Sequence, residues 1–209
     1  MNTIVDYILH LDVHLANLVS QYGLWTYAIL AFAIFAETGL VIMPFLPGDS
    51  LLFAAGIVAT HGVMGINPLT ILLIVAAVLG NTVNYWIGKK VGHLTFKNEN
   101  SLFFKKSYLD KTNAFYEKYG GKTLIIARFI PIVRTYAPFV AGVGKMSFKK
   151  FTLYNIIGAA AWVILILYVS FFFGSIPWVK NNFSIVVILI ILISITVPII
   201  EYLRNRIKD

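Results

Sequence analysis

A chain of 209 residues with a mean hydropathy of +0.82, 59% hydrophobic residues and only 12% charged side chains lacks the polar surface that a soluble domain of this size needs to cover its core. Several apolar runs approach or exceed the ~20 residues that cross a bilayer core, so the composition implies one membrane-integral, multi-pass domain over 1–209. The absence of cysteine excludes disulfide and thiol chemistry, and the net charge of +8 is too unevenly placed for a nucleic-acid-binding surface.

In chain order, residues 3–22 put Ile4, Ile8, Leu11, Leu15, Leu18 and Tyr22 at helical spacing, with Asp6, Asn17 and Gln21 off that stripe. This pattern predicts an amphipathic interfacial helix. Asp6 and Asp12 stand where a cleavable signal peptide would carry positive charge, so none is expected. Residues 24–43 are long enough to span but are interrupted by Glu37. Pro44, Pro47 and Gly48 then break the chain before Asp49 and a second apolar run. Residues 68–88 form an uninterrupted candidate span with Pro68 in its first turn, and Lys89 and Lys90 fix its end as cytoplasmic.

The basic loop 89–122 holds eight lysines against three acids, whereas residues 1–88 hold no Lys or Arg. Within it, Tyr108, Thr112, Phe115 and Tyr119 share a face, Ser107 and Asp110 resemble a capping box, and Gly120–Gly121 can end a second amphipathic helix. A broken segment follows, ARFIPIVRTYAPFVAG at 127–142, with Arg128, Arg134, Pro131 and Pro138. Residues 151–174 form a second clean span and 183–203 a last one. The tail with Arg204, Arg206 and Lys208 places the C-terminus in the cytoplasm. A basic cytoplasmic face also attracts anionic lipid headgroups.

The two halves share an order of parts. Each has an amphipathic helix ending in Tyr-Gly (Tyr22-Gly23, Tyr119-Gly120), a broken apolar segment with ionisable residues, a Pro-Phe-x-x-Gly pentamer (44–48, 138–142), and a clean span with Asn and Gly. The first repeat covers about 3–88 and the second about 105–174. With the spans running in opposite senses, this predicts an all-α membrane protein built as an inverted-topology repeat. Two opposed re-entrant broken-helix elements, three to four full spans and two interfacial helices make up that fold.

Broken backbone at membrane depth is tolerated only where it is buried in protein or lines a water-filled cavity. Each charge there costs at least ~2.5–3.5 kcal/mol on insertion scales, so intramembrane charges pair or serve a path. Glu37 and Asp49 belong to one broken element, Arg128 and Arg134 to the other. On a continuous helix the two arginines would diverge, being about 600° apart at ~3.6 residues per turn. With the helix broken at Pro131 both can face one cavity. The arginine fork suits phosphate, because it donates two parallel hydrogen bonds; the competing reading is that each Arg only pairs with Glu37 or Asp49 to hold the fold. Burial favours a neutral acid and a guanidinium favours a carboxylate, so an acid balanced between them can load and release a proton. Glu37 fits that role, with a permanent ion pair as the alternative. Asp49 has an alternative role as N-cap of the helix after Gly48. Asn81, Asn84 and Asn155 are candidate cavity-lining residues or interhelical hydrogen-bond glue. His10, His14, His61 and His93 have no partners at ligand spacing, so no metal site and no cofactor are expected. No nucleophile motif is present, and an intramembrane phosphatase would need a His near the arginines. The chain is therefore not expected to be an enzyme.

The stretches FAETGLVIMPFLPGDSLLFAAG, GNTVNYWIGKKVG and ARFIPIVRTYAPFVAGVGKMSFKKFTLYNIIGAAAW resemble the DedA family of bacterial inner-membrane proteins, over roughly residues 20–175. The resemblance implies two re-entrant loops facing each other and essential acids at Glu37 and Asp49. It also implies essential arginines at Arg128 and Arg134, with Pro44, Pro47, Gly48, Pro131, Pro138 and Gly142 shaping the loops. It further implies a bacterial inner-membrane location and a proton-motive-force-dependent lipid transporter. Undecaprenyl phosphate is its leading cargo, protons are its coupling ion, and another anionic phospholipid is an alternative cargo. A proton/cation antiporter supporting envelope stress resistance is the first rival reading. A non-transporting scaffold that recruits a partner through residues 105–122 is the second. The sequence leaves a homo-oligomer open.

Overall fold

The computed structural model describes residues 22–40, 48–60, 62, 64–95, 116–144, 146–182 and 186. The expected helix over 3–21, Pro44 and Pro47, the basic loop from 96 to 115, and the last span over 183–203 apart from residue 186 lie outside the described residues. Every described element is helical. These are α1 (Leu24–Gly39), α2 (Gly48–Ala59), α3 (Ile66–Thr95), α4 (Thr123–Ile126), α5 (Pro131–Val143), α6 (Phe148–Gly174) and α7 (Pro177–Asn181). Tight 3-10 turns at Gly120–Lys122 and Ala127–Phe129 flank α4.

Among the described helices, α3 and α6 are long and apolar enough to cross a bilayer, over Ile66–Lys90 and Phe148–Gly174. Their faces are inverted relative to a water-soluble protein. In α3 the exposed side is Ile71, Val75, Leu79, Val83 and Trp86, while Asn81, Asn84 and Tyr85 are buried. In α6, Leu153, Ile156, Ile157 and Ile164 are exposed, while Asn155 and Trp162 are buried. Apolar stripes of this length facing outward would be costly in water and fit a hydrocarbon surround. The helix α3 also runs on past Lys89 and Lys90 to Thr95, where the charge pattern had suggested an end. Lysine is a good helix former, so a membrane boundary need not be a helix boundary.

The structure describes the helices on either side of the first break and the whole of the second. The first apolar run does not stay helical over 24–43, because α1 stops at Gly39 after 16 residues, about 24 Å at 1.5 Å per residue. Helix α2 begins at Gly48 and has 12 residues. Asp49 therefore lies inside its first turn, not at the N-cap, and its charge faces the positive end of the helix dipole there. In the second broken segment residues 116–119 are helical, and Gly120 then takes φ +58, a left-handed conformation suited to glycine. Gly23 of the other Tyr-Gly pair has φ +46. Further on, Ile130 is extended (φ −122, ψ 107) and Pro131 is the first residue of α5. Proline disfavours helix for the residue before it and fits the N1 position, so one residue both ends one helix and starts the next. Pro138, expected as a second breaker, lies inside α5 instead. It cannot donate to the Arg134 carbonyl, yet α5 stays helical through it because Val133, Tyr136, Phe139 and Val140 pin the helix in the protein interior.

The chain divides into two compact units. In the described part of the first (1–29, 47–70, 165–209), α2 packs on the end of α6. A Cβ at Gly56 would overlap Ser170 Oγ and lie 2.5 Å from the Leu167 carbonyl, and the Phe53 and Phe173 rings are 5.9 Å apart. The second (30–46, 71–164) is centred on Tyr85, Leu124, Val133, Ala137 and Phe151, with Tyr85 and Phe151 stacked at 4.3 Å. Its helices approach backbone to backbone. A Cβ on Gly142 would overlap the Tyr85 carbonyl oxygen and lie 2.7 Å from the Lys89 nitrogen, and one on Gly80 would lie 2.7 Å from the Phe35 carbonyl. The glycine that closes the second Pro-Phe-x-x-Gly pentamer thus permits the crossing of α3 and α5.

Gly142→Ala is expected to lower stability by about 1–3 kcal/mol through overpacking, read as a lower unfolding midpoint in detergent. The Tyr116 hydroxyl donates to the Ala137 carbonyl at 2.9 Å, and burial pushes its phenol well above the usual range. The folded chain keeps that proton after the unfolded chain has released it, so stability falls as pH rises past about 10. Tyr116→Phe is expected to cost about 1 kcal/mol at neutral pH and to flatten the alkaline loss, measured as the difference between wild-type and variant unfolding curves at neutral and alkaline pH.

Candidate functional site

The second unit gathers Glu37, Arg128 and Arg134 around one small cleft. Glu37 arrives from the last turns of α1, Arg128 from the 3-10 turn before the break, and Arg134 from the first turns of α5. The break at Ile130 is what lets two arginines six residues apart serve the same space. The cleft is lined by Glu37, Thr38, Asn81, Arg128, Arg134, Thr135 and Trp162.

The two arginines are held differently. Arg134 Nη2 is in a salt bridge with Glu37 Oε1, and its side chain is 17% exposed. Arg128 is only 4% exposed and is held by neutral groups. Its Nη2 donates to Asn155 Oδ1 at 2.7 Å. The Asn81 amide is satisfied with its oxygen accepting from the same Nη2 at 2.7 Å and its nitrogen donating to the Thr38 carbonyl at 3.3 Å. The Asn155 nitrogen donates to the Val78 carbonyl at 3.0 Å, which fixes the amide that receives Arg128. Asn84 donates to the Thr135 carbonyl at 2.9 Å and the Thr38 carbonyl at 3.3 Å, tying α5 and α1 to α3 beside the cleft.

Two guanidiniums and one carboxylate therefore share a buried space whose other lining groups are neutral. The Nε of Arg128 has no hydrogen-bond partner among the described residues. A buried site with surplus positive charge and a spare donor can receive an anion, and the planar arginine fork matches a phosphate or carboxylate.

Of the residues singled out from the sequence, Glu37, Arg128, Arg134, Asn81 and Asn155 come together here, and Asn84 braces the helices around them. Asp49 and Gly48 belong to the other compact unit. Gly142 serves the helix crossing, not the cleft. The sequence reading missed Trp162 and Gly158. Trp162 is 2% exposed, with Arg134 Cζ 5.6 Å and Arg128 Cζ 5.8 Å from its ring centroid. A Cβ on Gly158 would lie 3.2 Å from Arg128 Cδ and Nε. The available signal was the i, i+3, i+7 spacing of Asn155, Gly158 and Trp162 on one face of α6.

Residues 46–172 match the VTT domain. The chain is 53% identical over 205 residues to protein DedA of Escherichia coli strain K12, covering 97% of this chain and 94% of that protein. It is 39% identical over 173 residues to an uncharacterized membrane protein of Mycobacterium tuberculosis, covering 82% of this chain and 76% of the relative. It is 32% identical over 151 residues to the inner membrane protein YqjA of Escherichia coli, covering 72% and 69%. No solved structure matches it.

Asn155→Leu removes a charge-assisted hydrogen bond from a buried guanidinium and is expected to cost about 1.5–3 kcal/mol, measured by unfolding in detergent.

Proposed function

The chain belongs to the DedA family of VTT-domain membrane proteins, and on that premise we propose that it is a proton-coupled transporter of an anionic lipid, not an enzyme. Undecaprenyl phosphate is the leading cargo, and a relative named as an inner membrane protein supports the bacterial inner membrane as the location. The observation that carries this reading is the cleft itself, where a buried and a partly buried arginine lie beside a single carboxylate, which pairs with Arg134. The phosphate headgroup enters the cleft and is gripped by Arg128 and Arg134, while the polyprenyl tail stays in lipid. This separation suits a lipid whose charged and apolar ends need different surroundings.

Glu37 supplies the coupling. Ionised, it holds Arg134 in an ion pair; protonated, it releases that guanidinium to the phosphate. Proton loading and headgroup binding thus compete for one side chain. Asp49 in the first turn of α2 is the second candidate proton carrier.

Helices α1 and α2 on either side of residues 41–47, and the segment 116–143 with its break at Ile130, are the two re-entrant elements of an inverted repeat. Each described helix in them is shorter than the ~20 residues needed to span, and each ends or starts at a break. The glycines of the two spans support the equivalence. Gly80 of α3 receives the end of α1 at Phe35 and Thr38, and Gly158 of α6 receives the end of the 123–129 segment at Ile125 and Arg128. The C-terminus then lies in the cytoplasm.

The test is flipping of labelled undecaprenyl phosphate in proteoliposomes, with and without a pH gradient, for wild type and Arg134→Ala. The expected outcome is transport that the gradient accelerates and the substitution abolishes. Folded wild-type protein that does not flip the lipid removes this cargo. Ion movement without any lipid carrier would instead favour a proton/cation antiporter using the same carboxylates.

A further inference from the structure

Two like charges in one buried cleft repel, and the single carboxylate there is engaged with Arg134. The feature that offsets this for both arginines is a ring. Trp162 is buried to 2% exposure, lines the cleft, and has both guanidinium carbons within 6 Å of its centroid, at 5.6 Å for Arg134 and 5.8 Å for Arg128. The indole face attracts cations through its quadrupole, and more strongly when water is excluded.

A ring differs from a second carboxylate in what it leaves free. A carboxylate would cancel the surplus charge and occupy the edge N–H groups of a guanidinium. An aromatic face takes the flat side of the cation and leaves its N–H edge for another ligand. The donors of Arg128 fit this: Nη2 is committed to the Asn155 and Asn81 oxygens, while Nε is buried with no hydrogen-bond partner among the described residues. One helix provides the whole arrangement. On α6, Asn155 orients Arg128, Gly158 leaves room for its Cδ and Nε at 3.2 Å, and Trp162 lies one turn further along.

We propose that Trp162 is the positioning residue of the anion cleft, a shared aromatic platform that holds Arg128 and Arg134 close together without neutralising them and leaves the Nε–H of Arg128 available to a phosphate group. This inference deepens the anion-site reading given above and rests on it.

The experiment uses the full chain in detergent, with radiolabelled inorganic phosphate and a short-chain isoprenyl monophosphate as probes. Trp25, Trp86 and Trp178, exposed residues outside the cleft, are changed to Phe so that Trp162 alone reports by fluorescence. The expected result is a saturable change in Trp162 emission with either probe, absent in Arg128→Gln. Affinity is expected to fall about tenfold in Trp162→Leu and less than about threefold in Trp162→Phe, the size of one lost cation–π contact at a desolvated site. Folded Trp162→Leu that binds like wild type overturns the platform and leaves the anion site standing. Trp162→Phe as weak as Trp162→Leu also overturns it, because the ring face would then not be the cause. If Trp162→Leu does not fold, Trp162→Phe and the emission of Trp162 still decide, and no emission change at saturating probe overturns the proposal. Wild type that binds neither probe overturns the anion-site reading and this inference together.

Discussion

A guanidinium removed from water must be given partners, and most of the second unit is organised around meeting that demand for Arg128 and Arg134. Arg128 takes amide oxygens from α3 and α6, and Arg134 takes a carboxylate from α1. Three helices are thereby obliged to converge on the short segment that carries both arginines. Their interior faces are polar and glycine-rich, and their exterior faces are left to apolar residues. In lipid no hydrophobic force draws such helices together, so close packing and interhelical hydrogen bonds must do so. The crossing at Gly142 and the approach at Gly80 supply the first, and Asn81, Asn84 and Asn155 the second.

The same arrangement explains how a broken segment survives. Backbone carbonyls of the elements around it are taken up by side chains: Asn84 donates to Thr135 and Thr38, Tyr116 to Ala137, and Tyr85 to Met146 at 2.6 Å. Three of these four bonds come from Asn84 and Tyr85 on α3, and the fourth comes from Tyr116. Backbone that leaves the regular helix ladder is held by the neighbouring helices, which is the condition for irregular structure inside a protein that crosses a membrane. The cost of burying charge and the cost of breaking a helix are offset by one shared network.

That network also separates rigid from adjustable parts. Arg128 is fixed through the amides of Asn155 and Asn81, one of them itself anchored to Val78. Arg134 is more exposed and is held by the Glu37 carboxylate. The two cations are therefore held by different chemistry, one by neutral amides and one by a carboxylate.

The sequence by itself determined what local chemistry fixes. Its composition required a membrane setting, and a charge within an apolar run is expensive enough that Glu37, Arg128 and Arg134 stood out before any contact was known. Pro131 set the break at Ile130 because proline acts on the residue before it. The same reasoning failed at Pro138, where surrounding packing overrides the missing donor, and at Asp49, where the helix begins two residues earlier than an N-cap there would require. Only the tertiary structure decided that Arg134 meets Glu37, 97 residues away, while Arg128 takes amides instead of an acid, and that Trp162 faces both. Those choices depend on which helices approach closely enough to touch. That is set by small residues such as Gly80, Gly88 and Gly142 meeting backbones far away in sequence, and no local periodicity encodes which backbone each will meet.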